Sequence, residues 1–255
     1  MLFSFCFLLS ACSKTDPILP GTRISIFDDE LAVQNTDIPT AVLEKAITGQ
    51  TAAVTVPESK TYEQDSSNVI WEIAADGTRR KIFSGFPTAA HVSANRAPVF
   101  VDGFIYAGFS TGEVVKINAK TRAMKWAADI FKGSAMTGGG GIVDIVAPVV
   151  VHEKHVYAGG MGGAFCKLKD ATGAKVWCNW IGVATPFSIY SGLAFVIATD
   201  GYLYAINTND GGVYWRANTK CDSAPKLSDN NGTFVVRCSA GKKQEGFSAR
   251  DGSSL

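Results

Sequence analysis

The sequence predicts an all-β chain, a propeller of four-stranded antiparallel blades with about four blades in view, and three observations carry that reading. The first is a repeat. His155 to Trp180, HVYAGGMGGAFCKLKDATGAKVWCNW, reads as an alternating run at His155 to Gly159, a second at Ala164 to Lys169, a tight turn at Asp170-Ala171-Thr172-Gly173, and a third run from Ala174 to Trp180. The same outline returns at Phe104 to Trp126 and at Leu193 to Trp215, and a further copy begins at Thr233 and stops at Leu255, where the next residue is expected to be the tryptophan. The second observation is that Trp71, Trp126, Trp177 and Trp215 occupy corresponding places near the ends of their units, the wider intervals holding loop insertions. The third is a proline step ahead of each first strand: Ala97-Pro98, Ala147-Pro148, Thr185-Pro186 and Ala224-Pro225. Proline there removes a donor that the ladder does not yet need. A repeat of this size made only of short strands is the mark of propeller blades.

Counting strands gives four first, four second and four third strands, but three fourth strands. Asn68 to Ala74 (NVIWEIA), which carries Trp71, is expected to supply the missing one, because a propeller closes when a strand from one end of the chain completes the blade made by the other.

Composition narrows the function. With 255 residues, 46% hydrophobic and 18% charged, the chain can bury a substantial core. A net charge of +1 and the lack of a basic run exclude a nucleic-acid binder and a protein drawn to an anionic membrane surface.

The N-terminus carries a processing signal. Met1 to Ser10 is almost wholly apolar, too short to span a bilayer, and leads through Leu9-Ser10-Ala11 to Cys12 and a polar stretch. This resembles a bacterial lipoprotein signal with its lipobox, which implies removal of residues 1–11 and acylation of Cys12 as the membrane anchor. A plain secretory signal or a start-site artefact is the alternative, since no Lys or Arg precedes the apolar run. Ser13 gives no reason for inner-membrane retention. Residues 12–66 read as a tether and lead-in, with an apolar patch at Arg23 to Phe27 and a short helix at Pro39 to Ile47 whose Val42, Leu43, Ala46 and Ile47 share a face. Packing of this stretch as further strands of an extra blade stays open. Residues 67–255 are the propeller repeats.

Cys6 leaves with the signal and Cys12 is taken by lipid, so Cys166, Cys178, Cys221 and Cys238 remain. Cys166 and Cys178 flank the Asp170 to Gly173 turn symmetrically, and Cys221 and Cys238 flank Asp229-Asn230-Asn231-Gly232. Each pair is expected to face across its own hairpin and form a disulfide, as suits an oxidising compartment. A slip of one residue would leave them as buried thiols.

Catalytic patterns are weak. His152-Glu153-Lys154-His155 could be a metal clip, but it falls in a turn with no third ligand nearby. Gly138 to Gly141 lacks the Lys-Ser/Thr of a phosphate loop, and the Ile142 to Ile145 run after it reads as a strand. His91 is read as a solvated loop histidine, and there is no nucleophile elbow. The tryptophans are expected to lock neighbouring blades, the alternative being a stacking platform for a quinone.

The steps Tyr106-Ala107-Gly108 and Tyr157-Ala158-Gly159, the strand Leu203 to Asn207 (LYAIN), and the closing glycine turn and tryptophan resemble the quinoprotein-type propeller repeat family. With the lipobox, Gly21 to Ile26 (GTRISI) and Val69-Ile70-Trp71, the chain is most similar to the BamB-like outer-membrane protein assembly lipoproteins. That resemblance implies a non-catalytic scaffold of the barrel-assembly (BAM) complex, anchored in the outer membrane and facing the periplasm. Its partners would be the POTRA domains of a BamA-like barrel and other BAM lipoproteins, with no cofactor. The docking loops would be those from a fourth strand to the next first strand: Ile130 to Val146 with Phe131, Lys132, Met136 and Asp144, Asn179 to Ala184 with Trp180 and Ile181, and Thr219 to Ser223. The family ring has eight blades and this chain about half, so a reduced ring, a half-ring needing a partner, or a truncated product is implied. The alternative function is a periplasmic quinoprotein-like (PQQ-dependent) dehydrogenase or sensor. Those dehydrogenases imply an adjacent cysteine pair and calcium ligands, and no two cysteines are adjacent here.

Overall fold

The computed structural model describes residues 32–49, 60–87, 97–130 and 143–255. The chain divides into units 1–30 and 31–255, and all described residues lie in the second. Cys12, Arg23 to Phe27, His91, Phe131, Lys132, Met136 and Gly138 to Gly141 fall outside them.

Among the described residues, five antiparallel sheets follow one another along the chain. The first has three strands, β1 (Lys60–Gln64), β2 (Val69–Ala74) and β3 (Arg79–Ser84). Three four-stranded meanders come next. They are β4 (Val99–Val101) to β7 (Met124–Asp129) through β5 (Phe104–Gly108) and β6 (Glu113–Asn118), then β8 (Val150–His152), β9 (His155–Gly160), β10 (Ala164–Lys169) and β11 (Lys175–Asn179), then β12 (Ser188–Tyr190), β13 (Leu193–Ile197), β14 (Tyr202–Asn207) and β15 (Val213–Asn218). The fifth sheet is β16 (Lys226–Asn230), β17 (Thr233–Ala240) and β18 (Lys243–Ser248). The arrangement is a β-propeller of four-stranded blades, seen in part.

Burial explains the sequence texture. In the three four-stranded sheets the second and third strands lie between neighbouring sheets, so both faces are covered, and β13 is buried along its whole length. Outer strands alternate, with Trp126 buried on β7 between exposed neighbours. Among the described residues, four apolar clusters fill the gaps between successive sheets. Tyr157 and Phe165 of β9 and β10, for example, pack with Ile189, Ala194 and Tyr204 of the next blade.

Trp71 requires a correction. It sits on β2, paired on both sides by β1 and β3, and completes no blade at the other end of the chain. A bulge fixes the correspondence: third and fourth strands slip register after Lys116, Lys167 and Ala205, and β2 and β3 slip after Ile70. The pairs Lys116↔Trp126, Lys167↔Trp177 and Ala205↔Trp215 therefore match Ile70↔Phe83, so that Phe83 holds the tryptophan position. The first sheet is hard to read in the sequence because its closing strand, Arg79-Arg80-Lys81-Ile82-Phe83-Ser84, is charged and carries no indole, while Val69-Ile70-Trp71 imitates one. Trp71 is instead a local post, half-buried, with Nε1 donating to Asp65 Oδ2 at 2.9 Å and the Arg79 guanidinium 5.0 Å above its ring.

The lead-in also differs from a free tether. β1 lies within residues 12–66 and belongs to the first sheet. Helix α1 (Thr40–Thr48) buries Leu43 and Ala46, with Val42 and Ile47 packed on a cluster that includes Tyr190, Leu193, Leu227 and Phe247. Ahead of it the backbone runs along late blades, Gln34 N donating to Val213 O at 3.0 Å, Thr36 N to Tyr214 O at 2.9 Å and Ile38 N to Arg250 O at 2.8 Å. Residues 143–145 are not a strand: Ile145 N donates to Phe109 O and Asp144 O accepts from Met161 N, so two adjacent residues bond to different blades and no ladder forms.

Both disulfides are present. Cys166 and Cys178 face each other in the register of β10 and β11. Cys221 bonds Cys238 of β17 from the segment ahead of β16, at a Cα separation of 5.7 Å. Substituting Cys221 and Cys238 together by serine is expected to cost about 3 kcal/mol, the loop-closure contribution for a separation of this size. Urea melts of the double variant beside the oxidised parent check it.

Candidate interaction site

Among the described residues, three interfaces between blades are closed by one device. Trp126 Nε1 donates to Asp170 O at 2.8 Å, Trp177 Nε1 to Thr208 O at 3.1 Å and Trp215 Nε1 to Ala249 O at 3.1 Å, each acceptor opening the third-to-fourth turn of the following blade. Each indole lies over that turn's glycine. A Cβ on Gly173 would stand 2.7 Å from Trp126, one on Gly211 2.9 Å from Trp177, and one on Gly252 2.6 Å from Trp215. All three glycines also have positive φ, so two independent constraints require glycine. Where Phe83 replaces the indole, the matching turn position of the next blade is Arg122, at φ 61°. With no indole to seat, that turn carries a side chain.

Around the first lock lies a polar knot. Lys116 Nζ donates to Asp170 Oδ1 at 2.7 Å, to Oδ2 at 2.8 Å and to Asp170 O at 3.2 Å, and Tyr106 OH donates to Oδ1 at 2.6 Å. Burial pushes the Tyr106 hydroxyl far above its ordinary range, and its bond to the Asp170 anion adds to the shift. At the next interface Lys167 Nζ reaches only the backbone, Thr208 O at 2.8 Å. Burial there holds Lys167 below its ordinary range and pushes Tyr157 up to about 12.

The opposite edge of each sheet carries the connections from fourth to first strands. They fold onto neighbouring second-to-third turns: Ile130 N donates to Gly112 O, Val183 N to Gly160 O, Thr199 N to Gly182 O and Thr219 N to Gly201 O, between 2.8 and 3.0 Å. This anchoring decides which expected contact residues face solvent. Ile181 and Asp144 are buried, so neither offers docking surface: Ile181 joins the apolar cluster between β8–β11 and β12–β15, and Asp144 is enclosed as its segment is pulled inward at Met161 N. Trp180 is 40% exposed. Phe86, in the connection after β3, is 72% exposed and belongs to the same class of loop. Its mark in the sequence is Gly85-Phe86-Pro87 directly after a fourth strand, and the charge of β3 hides that strand. Asn68 was equally unforeseen: it is fully buried at φ 59°, with Nδ2 donating to Phe86 O and Ser110 Oγ at 2.7 Å each while Oδ1 accepts from Ser110 N, so it fastens this loop to the following blade.

Among the described residues no three His, Cys, Asp or Glu side chains converge to hold a cation. The two disulfides join positions far apart in sequence, with no adjacent pair. Nor is any described helix long and apolar enough to cross a membrane.

Sheets of this order joined by tryptophan-on-glycine locks define a PQQ-repeat β-propeller. Residues 28–217 match the family described as outer membrane protein assembly factor BamB, and the chain belongs to that family. Among solved structures it resembles BamB from Moraxella catarrhalis, at 14% identity and a TM-score of 0.57, covering 81% of this chain and 64% of that one. It equally resembles a quinohemoprotein alcohol dehydrogenase from Pseudomonas putida, at 14% identity and a TM-score of 0.58, covering 78% of this chain and 40% of that one. A europium-containing methanol dehydrogenase matches at 13% identity and a TM-score of 0.54, covering 81% and 51%. The chain thus spans less than two thirds of each of these relatives, and at these identities the likeness is one of fold. No curated protein matches it significantly.

Proposed function

We propose that the chain is a non-catalytic scaffold in the assembly of outer-membrane β-barrel proteins, docking the POTRA domains of a BamA-like barrel through its fourth-to-first connections. Family membership supports the process. The observation that carries the docking surface is Trp180, 40% exposed between the buried Asn179 and Ile181. An aromatic held in place by buried neighbours can enter a partner pocket at small entropic cost. Phe131, Lys132 and Met136 belong to the same proposed surface. Cys12 serves as the lipid anchor, placing the propeller on the periplasmic side of the outer membrane beside other lipoproteins of the complex, and the two disulfides suit that oxidising compartment.

Trp180→Ala is expected to weaken capture of a purified POTRA array by about 1–3 kcal/mol while leaving the urea midpoint unchanged. Unchanged capture in Trp180→Ala combined with Phe131→Ala and Met136→Ala would remove the surface. The likeness to a quinohemoprotein alcohol dehydrogenase supports a second reading, a PQQ-dependent enzyme or sensor. Titration with PQQ and calcium separates the two: saturable binding favours the enzyme.

A further inference from the structure

The turn His152-Glu153-Lys154-His155 links more than β8 to β9. His152 ends β8 with its side chain 5% exposed, and its Nε2 makes no hydrogen bond. A buried polar atom without a partner is costly and calls for a physical account. Glu153 and Lys154 both have positive φ, 46° and 60°, in this tight turn, and Glu153 Oε1 stands 3.6 Å from His152 Nε2. The same oxygen accepts a 2.5 Å hydrogen bond from Ser191 Oγ, in the turn between β12 and β13 of the next blade. Ser191 is itself buried, and Gly49, the C-cap of α1, lies so close that a Cβ there would stand 2.5 Å from Ser191 Oγ. One carboxylate oxygen thus stands between a histidine of one blade and a serine of the next, and the lead-in helix rests on that serine.

We propose that this cluster is a pH-operated latch on the lead-in: protonation of His152 draws the Glu153 carboxylate away from Ser191 and loosens the seat of α1. A proton from solvent adds to the Nε2 lone pair, and the new N–H finds its acceptor in Glu153 Oε1. The Ser191 hydroxyl loses that acceptor, and no covalent bond between heavy atoms changes. The charged groups facing the pair are His155 of β9 and Lys167 of β10, both opposing a charge on His152, and Lys45 of α1, which favours the Glu153 anion.

The sign follows from the environment. Burial is the largest influence on His152 and holds it below the ordinary histidine value of 6.5, with Glu153 acting in the opposite direction. The unfolded chain therefore binds this proton more readily than the folded one. The stability contributed by the neutral ring is complete above 6.5 and declines as pH falls below it. Glu153 remains ionised through that window, because the Ser191 bond, its largest influence, holds it below the ordinary value of 4.5.

Hydrogen exchange on the full chain tests the latch, comparing about pH 7.5 with about pH 5.5 after correction for intrinsic rates. Protection of residues 40–49 and 188–193 is expected to fall severalfold on acidification in the parent, and to stay level in His152→Gln and in Glu153→Gln. Level protection in the parent, or a surviving response in His152→Gln, overturns the proposal. If His152→Gln does not fold, Glu153→Gln decides in the same way: a surviving response overturns the latch and a lost one supports it. The readout is separate from POTRA capture, so the two proposals can fail independently.

Discussion

Replacing Trp126 by alanine is expected to lower stability by about 3–5 kcal/mol, the range for truncating a large buried aromatic. The ring is 7% exposed, lies on the Gly173 turn, and packs with the Tyr106 ring at 6.5 Å between centroids. Its loss opens a cavity across two blades and leaves Asp170 O without the indole donor. Trp71→Ala is the internal control: it removes the same side chain from a half-buried site inside one sheet, and its cost should be clearly smaller. Gly173→Ala tests the other half of the lock. Its φ of 72° and the 2.7 Å approach to the indole both oppose a side chain, so a loss of about 1–3 kcal/mol is expected. Urea midpoints at constant slope measure all three. Equal losses in Trp126→Ala and Trp71→Ala would mean that the indole is not an interface lock.

The two tryptophans also mark where the sequence was legible. Repeating strands show because the second and third strands of the three four-stranded sheets are buried on both faces and so read as apolar runs between glycine turns, as at Leu193 to Asn207. The hairpin bearing Cys166 and Cys178 shows because a short turn fixes the register. The first sheet does not, because alternation cannot say which strand of a blade is being read. β2 has the apolar run and tryptophan of a closing strand, and only the bulge after Ile70 identifies it as a third strand. Exposure within loops is illegible for a related reason. Trp180 and Ile181 are adjacent apolar residues, and the one that turns inward is decided by packing between blades and by the bond from Val183 N to Gly160 O, neither of which is local in sequence. The knot at Asp170 is hidden as well, since it joins a lysine on one blade to a turn of the next.

That knot gives the other large effect. Asp170→Ala is expected to cost about 3–5 kcal/mol, because removing one member strands the other charge in a buried site. The Lys116 side chain is 8% exposed, with its ammonium 4.3 Å from the centre of the Phe104 ring and 5.3 Å from that of Tyr106. These faces attract a cation but accept no hydrogen bond of carboxylate strength. Tyr106 OH loses its acceptor at the same time. The protein shows what should restore stability. At the interface closed by Trp215, the positions of Lys116 and Asp170 are held by Ala205 and Ala249, and both are fully buried. A lock of the same geometry therefore stands there without the ion pair. Combining Asp170→Ala with Lys116→Leu should accordingly recover about 2 kcal/mol of the single variant's loss, a coupling expected of directly interacting residues. A double variant no more stable than Asp170→Ala would show that the carboxylate's main work is to hold the turn beneath Trp126 rather than to neutralise Lys116.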